Sequence, residues 1–183
     1  MKMDIFSRLI SRKFRNIAGE RYEEIAQRYR EFLLLPEEFV LPEVSSILLP
    51  VDRFAHDIPE ELYDTLGAYA DASITLVYMI DRMAFHMIEQ TLGKREAERL
   101  RAVEMERGEK ILSRMVKGLE KIGLDVREKY ILGNKSDEII QLAADFDLLV
   151  ISRSYGSEIT KTSPMSPVVL KIVQHVDKPT IIY

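Results

Sequence analysis

The sequence contains no cysteine and no tryptophan, and only three histidines, among its 183 residues. Without cysteine a chain forms no disulfide, thiol nucleophile, iron–sulfur cluster or cysteine-ligated zinc site. His56, His86 and His175 stand too far apart for a local ligand pair such as the HExxH motif. These absences predict a protein with no metal site and no redox chemistry of its own.

Long apolar runs and an excess of positive charge are also missing. The apolar run at 74–80 is far shorter than the roughly 18 residues that a membrane span needs. Lys and Arg number 26 against 30 Asp and Glu, and the net charge of −4 has the wrong sign for a nucleic-acid-binding domain. We therefore expect a soluble, cytoplasmic protein with no nucleic-acid partner.

Five segments have the aliphatic and β-branched composition of strands, and segments with helical spacing separate them. The segment at 124–132 is more mixed than the others and alternates apolar and charged residues, as a strand near a sheet edge does. The alternation of strands and helices predicts an α/β fold with a parallel sheet covered on both faces. The predicted strands are 46–51, 74–80, 124–132, 147–151 and 179–183.

Helix start signals support this order. Asp57 precedes Pro59 and two glutamates, while Ser136 and Ser166 stand where a side chain caps a helix N-terminus. The longest helical segment, 94–122, is amphipathic in its second half. Its first half is charged nearly all round, so we expect that half to face solvent.

Residues 1–45 do not follow the alternation, and we predict a domain boundary there, with the α/β domain at 46–183. The first 45 residues carry two amphipathic stripes, and residues 1–19 hold five basic side chains and one acidic. Large apolar side chains at helical spacing are not left in water. The expected N-terminal helical arm packs on the chain's own sheet or a dimer mate, on another protein, or on an anionic membrane surface.

Three segments at predicted strand ends are candidates for ligand binding, because parallel α/β sheets bind ligands beyond the carboxyl ends of their strands. They are Pro50-Val51-Asp52, Gly133-Asn134-Lys135-Ser136 and the loop 152–167. Seven of the fifteen residues from 152 to 166 are serine or threonine. Hydroxyls and backbone N–H groups in such a loop suit an anion.

Several motifs in this order resemble the universal stress protein family over residues 46–183. They are Ile-Leu-Leu-Pro-Val-Asp at 47–52, Leu-Val-Tyr-Met-Ile-Asp at 76–81, the Gly133 turn, Asp-Leu-Leu-Val-Ile-Ser at 147–152 and Lys-Pro-Thr-Ile-Ile-Tyr at 178–183. The resemblance implies a five-stranded parallel sheet of order 3-2-1-4-5 sandwiched by helices, an architecture shared with the adenine-nucleotide α-hydrolase-like proteins. It also implies a homodimer formed through the C-terminal strand.

Some members of that family bind ATP through Gly, two residues, Gly, nine residues, Gly and then Ser or Thr. Here these positions hold Arg153, Gly156, Ser166 and Pro167, so one of four matches. Arginine hinders the close approach of backbone to phosphate, and proline removes a backbone N–H. The resemblance places Val51, Asp52, Met79 and Gly133 in the same pocket. For Asp52 a second interpretation is a carboxylate that caps N–H groups of the loop after it.

No acid, base and nucleophile occur in a catalytic pattern, so we expect no enzyme activity and no cofactor. The predicted function is a homodimeric stress-response or regulatory protein with a degraded ATP motif. The alternative is a regulatory switch of the same family that still binds ATP or AMP.

Overall fold

The computed structural model describes residues 44–55, 57–69 and 71–183, and these residues form five parallel strands and five helices. One helix connects each strand to the next, except that two helices lie between the second and third strands. In chain order the elements are β1 (Ser46–Val51), α1 (Glu60–Gly67), β2 (Ser73–Asp81), α2 (Arg82–Leu92), α3 (Lys94–Lys121), β3 (Asp125–Gly133), α4 (Lys135–Ala143), β4 (Leu148–Ile151), α5 (Pro167–His175) and β5 (Thr180–Ile182).

The strands form one sheet of order β3-β2-β1-β4-β5, all parallel. The predicted fold class and strand order are confirmed, and the predicted strand ends lie within one residue of those observed. Strand β3, expected near an edge, is an edge strand, and β5 forms the other edge. The predicted N-terminal arm at 1–45 lies outside the described residues, apart from its last two.

Two hydrophobic clusters hold helices against the two faces of the sheet. On one face, side chains of β1 and β2 pack with α1, α2 and α3 through residues such as Leu66, Phe85 and Leu112. On the other face, α4 and α5 pack through Ile139 and Val169. Because both faces are covered, the central strands are apolar at nearly every position. Among the described residues, no helix combines the length and the apolar composition that crossing a bilayer requires.

The helix caps differ in part from those expected. Ser166 caps α5, its Oγ accepting from the Val169 N–H at 3.1 Å, as predicted. Helix α4 begins one residue before Ser136 and is capped by the Asn134 side chain. Asp57 does not cap α1, since its carboxylate pairs with the Arg114 guanidinium at 2.6 Å.

Helix α2 was not predicted as a separate element. Its N-terminus is capped by the Asp81 side chain, which accepts from the N–H groups of Met83 and Ala84. Gly93, with φ of 85°, then separates α2 from α3. Glycine adopts this left-handed backbone without the steric cost of a Cβ, which explains how two helices follow one another with a single residue between them.

The amino ends of β1 and β4 are joined by Asp147. One oxygen of its carboxylate accepts from the hydroxyls of Ser45 and Ser46, both at 2.8 Å, and from their backbone N–H groups, both at 3.0 Å. These donors, the Ser45 hydroxyl first, lower the pKa of the Asp147 carboxyl to about 2. The Asp147 carboxylate therefore stays ionised at neutral pH, and its hydrogen bonds hold the amino ends of β1 and β4 next to each other.

The first half of α3 does not face solvent all round, contrary to expectation. Ala97, Glu104 and Gly108 are buried. The Tyr78 hydroxyl donates to Glu104 Oε1 at 2.9 Å, and burial together with the Glu104 carboxylate raises the pKa of Tyr78. A tyrosine on β2 supplies the partner for a buried glutamate on α3. Helical periodicity alone does not reveal that pairing.

Gly108 is the closest approach of α3 to Tyr78, since a Cβ at this glycine would lie 2.8 Å from the tyrosine ring. We predict that Gly108→Ala destabilises the protein by about 1–3 kcal/mol through overpacking, although alanine favours helix by about 1 kcal/mol. Urea unfolding measures the free energy. Gly67→Ala is the matched control, because a Cβ there meets nothing within 4 Å. A stabilised Gly108→Ala variant would contradict this account of the packing.

Candidate functional site

The loops after β1, β3 and β4 meet at the carboxyl edge of the sheet. Strand order reverses at β1, whose neighbours are β2 and β4, so the crevice between the loops after β1 and β4 is the usual ligand position in this architecture. Polar side chains from all three loops meet there, and the first of them is Asp52 at the end of β1.

Asp52 is completely buried, and both of its carboxylate oxygens accept hydrogen bonds. Oδ1 accepts from the Phe54 N–H at 3.0 Å. Oδ2 accepts from Lys135 Nζ at 2.6 Å and from the Gly156 N–H at 2.9 Å. One side chain thus joins the ends of three strands. The predicted capping contact is present, as the Phe54 bond, together with two partners that the sequence did not reveal.

Lys135 lies in the candidate segment 133–136, but its role as the buried partner of Asp52 was not predicted from the sequence. Its side chain is 8% exposed, and its ammonium lies 5.1 Å from the centroid of the Phe54 ring, a cation–π distance. The Lys135 carbonyl accepts from the Tyr155 hydroxyl at 3.2 Å, and burial raises the pKa of that hydroxyl, so it remains a donor. A signal was available, because a lysine two residues after β3 lies at the same sheet edge as the aspartate that follows β1.

Buried serines connect the loop after β4 to the loop after β1. The hydroxyls of Ser152 and Ser154 lie 2.9 Å apart. Ser154 Oγ also donates to the Phe54 carbonyl at 2.9 Å. Phe54 is therefore held by its N–H and by its carbonyl, which positions the ring over the Lys135 ammonium.

Gly156 and Ser166, both predicted site residues, are engaged within the protein. Gly156 has φ of 92°, and a Cβ there would lie 2.5 Å from Val168, so both backbone conformation and space require glycine. Its N–H is bonded to Asp52. Ser166 is buried, caps α5 and donates its hydroxyl to the Tyr155 carbonyl.

Arg153 contributes its backbone to the structure and presents its side chain to solvent. Its N–H donates to the Tyr183 carbonyl at 2.8 Å, and its carbonyl accepts from the Ser166 N–H at 2.8 Å. The Arg153 backbone thereby connects the end of β5 to the start of α5. Pro167, at the first position of α5, has no N–H to offer an anion.

The remaining predicted residues lie around this centre. Val51 and Met79 are each 1% exposed and belong to the two hydrophobic clusters on opposite faces of the sheet. Gly133 ends β3, and a Cβ there would lie 2.5 Å from the Glu138 side chain. The structure thus brings Asp52 and Gly156 into contact, puts Arg153 and Ser166 on the same loop, and leaves Val51 and Met79 in the core.

An open cleft of about 400 Å³ lies beside the buried centre. Its walls come from the loops after β1 and β4, and they combine an aromatic face, a guanidinium and a hydroxyl. The lining residues are Arg53, Phe54, Ala55, Ser154, Glu158 and Ile159. Within the described residues, no three His, Asp or Glu side chains are grouped in a way that would hold a metal ion.

Comparison with solved structures identifies known proteins that have the same fold. No protein-family model matches the sequence, and no curated protein matches it. Among solved structures, the universal stress protein UspA from Lactobacillus plantarum superimposes with a TM-score of 0.61 at 15% identity, covering 78% of this chain and 99% of that one. A universal stress family protein from Burkholderia pseudomallei gives 0.55 at 17% identity, covering 78% and 97%.

A third structure, of a hypothetical protein whose biochemical function was assigned from its structure, gives a TM-score of 0.61 at 20% identity, covering 76% of this chain and 95% of that one. Similarity at these identities establishes the fold. The chain has the fold of the universal stress proteins, as its motifs predicted.

The buried Asp52–Lys135 pair is open to a direct energetic test. We predict that Lys135→Met destabilises the protein by about 3–5 kcal/mol, because it leaves the carboxylate buried without its counter-ion. In Asp52→Asn/Lys135→Met neither charge remains, so much of that loss is expected to be recovered. Urea unfolding of both single variants and the double variant gives the coupling energy.

The exposed Glu106–Lys110 pair is the matched control, with a comparable N–O distance of 2.7 Å and side chains 64% and 75% exposed. Lys110→Met is expected to change the unfolding free energy by less than about 0.5 kcal/mol. Equal effects of Lys135→Met and Lys110→Met would show that the buried pair does not hold the site together.

Proposed function

We propose that this chain belongs to the universal stress protein family and acts as a non-enzymatic, regulatory homodimer that works without a bound adenine nucleotide. The observation that carries the proposal is the state of Asp52, which is fully buried and bonded to Lys135, Gly156 and Phe54. Polar groups that the motif resemblance assigns to a nucleotide are used to hold the protein together.

Three of those groups are engaged. The Asp52 carboxylate is paired with Lys135, the Gly156 N–H donates to Asp52, and the Ser166 N–H donates to the Arg153 carbonyl. To reach them, a nucleotide would first have to break buried hydrogen bonds within the protein. Losing one charge-assisted hydrogen bond costs roughly 1.5–3 kcal/mol, equivalent to about a tenfold to hundredfold weaker affinity.

The same hydrogen bonds support a protein that is not an enzyme. A general base needs a free lone pair aimed at the substrate, and a nucleophile needs a base beside it. Both Asp52 oxygens are occupied by donors from the protein. The hydroxyls of Ser154 and Ser166 donate to main-chain carbonyls. These groups serve the structure of the loops.

The alternative, a switch that binds ATP or AMP, is supported by the open cleft of about 400 Å³ next to this centre. The Phe54 ring offers a stacking surface, and the Arg53 guanidinium offers a cation for a phosphate. In this alternative the nucleotide occupies the cleft and leaves the Asp52–Lys135 pair intact.

A thermal-shift titration separates the two functions. We predict that ATP and AMP at millimolar concentration leave the melting temperature within about 1 °C of the value without nucleotide. A ligand present at 100 times its dissociation constant would stabilise the native state by about 2.7 kcal/mol, a shift of several degrees. Pyrophosphate at the same concentration controls for unspecific binding of anions. An ATP shift of several degrees, absent with pyrophosphate and reduced by Phe54→Ala, would establish the switch instead.

The proposed dimer contact is the open edge of β5. No charged side chain occurs in residues 179–183, and Ile182 is 37% exposed. An apolar edge strand with unpaired backbone groups favours pairing with a second strand. The basic N-terminal segment, from its sequence alone, is proposed as the contact with a protein partner or an anionic membrane.

We predict that the wild-type protein scatters light as a dimer at micromolar concentration and that Ile182→Lys shifts it to monomer, because a charge replaces an apolar side chain at the contact. Leu132→Lys is the matched control on the opposite edge, where Leu132 is 36% exposed. It is expected to leave the mass unchanged. A wild-type monomer, or monomers from both variants, would argue against a β5 contact.

A further inference from the structure

Within residues 44–183 as the structure describes them, strand β3 has one long side without a partner strand, at the edge of the sheet. All nine of its residues pair with β2, from Asp125 opposite Ser73 to Gly133 opposite Asp81. Within the described residues no strand pairs with its other side. An open edge of this length presents a row of backbone N–H and carbonyl groups that can pair with a further strand.

The side chains of β3 give its two faces different chemistry. Val126 packs with the cluster beneath α1, α2 and α3, and Ile131 packs with the cluster beneath α4 and α5. Because strand side chains alternate, Tyr130 and Leu132 share the face of Val126, whereas Arg127 and Lys129 share the face of Ile131. Asp125 also lies on this second face, 3.8 Å from the Arg127 guanidinium, so the face keeps a net positive charge through Lys129. Tyr130 is 37% and Leu132 36% exposed, and the two cations are exposed.

These charges disfavour a second copy of β3 as the occupant. Full antiparallel overlap of two β3 strands sets Lys129 opposite Lys129. A shift by two residues in one direction sets Arg127 opposite Lys129 and Glu128 opposite Glu128, and like charges directly opposite destabilise a strand pair. The shift in the other direction avoids like charges but sets Lys129 opposite Ile131 and Glu128 opposite Leu132, so neither charge meets its opposite. A strand with carboxylates opposite the cations therefore suits this edge better than a second copy of β3.

We propose that the β3 edge binds an extended peptide segment of another protein, which adds a sixth strand with carboxylates on one face and apolar side chains on the other. Backbone hydrogen bonds supply affinity in this mode, and alternate side chains supply specificity. Carboxylates lie opposite Arg127 and Lys129. Apolar side chains lie beside Tyr130 and Leu132.

Glu128 sets which face of the peptide is acidic. It lies on the same face as Tyr130, between the positions of Val126 and Tyr130. A peptide carboxylate on that face would be repelled by Glu128, whereas on the opposite face it meets Arg127 and Lys129. The pattern therefore favours one facing of an alternating acidic and apolar strand over the reverse.

The test uses a fluorescently labelled nine-residue peptide of alternating glutamate and valine, with blocked ends, titrated by fluorescence anisotropy against the full chain. We expect saturable binding, and at least about tenfold weaker binding when lysine replaces each glutamate. Methylation of alternate peptide nitrogens, which removes main-chain donors on one side, is expected to abolish binding. Hydrogen exchange is expected to show new protection in β3.

Charge-reversed variants locate the contact. Arg127→Glu/Lys129→Glu is expected to weaken the acidic peptide at least about tenfold. Lys161→Glu/Lys178→Glu makes the same change in net charge away from β3 and is expected to stay within about twofold of wild type. Tyr130→Glu tests the apolar face if the first variant does not fold.

Equal losses for both double variants, protection outside β3, or no binding at millimolar protein would each overturn the proposal. None of these outcomes depends on the nucleotide site or on the β5 dimer, so the proposal stands or falls separately from the proposed function.

Discussion

The arrangement of the carboxyl edge depends on one buried ion pair. Asp52 follows β1 and Lys135 begins α4. The 2.6 Å contact between them links the carboxyl end of β1 to that of β3, two strands away in the sheet. Removing two charges from water is costly, and the cost is offset only when each charge is paired and its remaining hydrogen-bond capacity is used. Here the Gly156 and Phe54 N–H groups complete the carboxylate, and the Phe54 ring covers the ammonium.

Because of that pair, polar groups at the carboxyl edge of the sheet bind one another and hold the loops together. In parallel α/β sheets the carboxyl edge gathers free N–H groups and polar side chains, and this makes it a natural anion site. In this chain Lys135 supplies the positive charge from within, and Asp52 takes up the Gly156 donor. The loop after β4 is further held by hydrogen bonds of the Ser154 side chain, the Ser166 side chain and the Arg153 backbone.

The two open edges of the sheet are the surfaces with the clearest chemical contrast. The β5 edge is short and carries no charge, whereas β3 is nine residues long and has Arg127, Glu128 and Lys129 at its centre. Charges on an edge oppose pairing with a copy of the same strand, and an uncharged edge does not. This contrast is the basis for proposing a self-contact at β5 and a contact with a different partner at β3.

The sequence by itself determined the strands, their parallel arrangement and the Ser166 cap, and the motif resemblance added the strand order and the shared pocket of Asp52 and Gly156. Local patterns suffice for the strands and the cap, since burial on both faces makes a strand apolar throughout, and capping needs residues only three positions apart. Only the tertiary structure decided that Lys135 pairs with Asp52, that the Tyr78 hydroxyl donates to Glu104, and that the Asp147 carboxylate joins Ser46 of β1 to the start of β4. The partners in these contacts are 26 to 101 positions apart. No local spacing encodes such pairs, because they arise only when the sheet order brings distant strand ends and helix faces within hydrogen-bond reach.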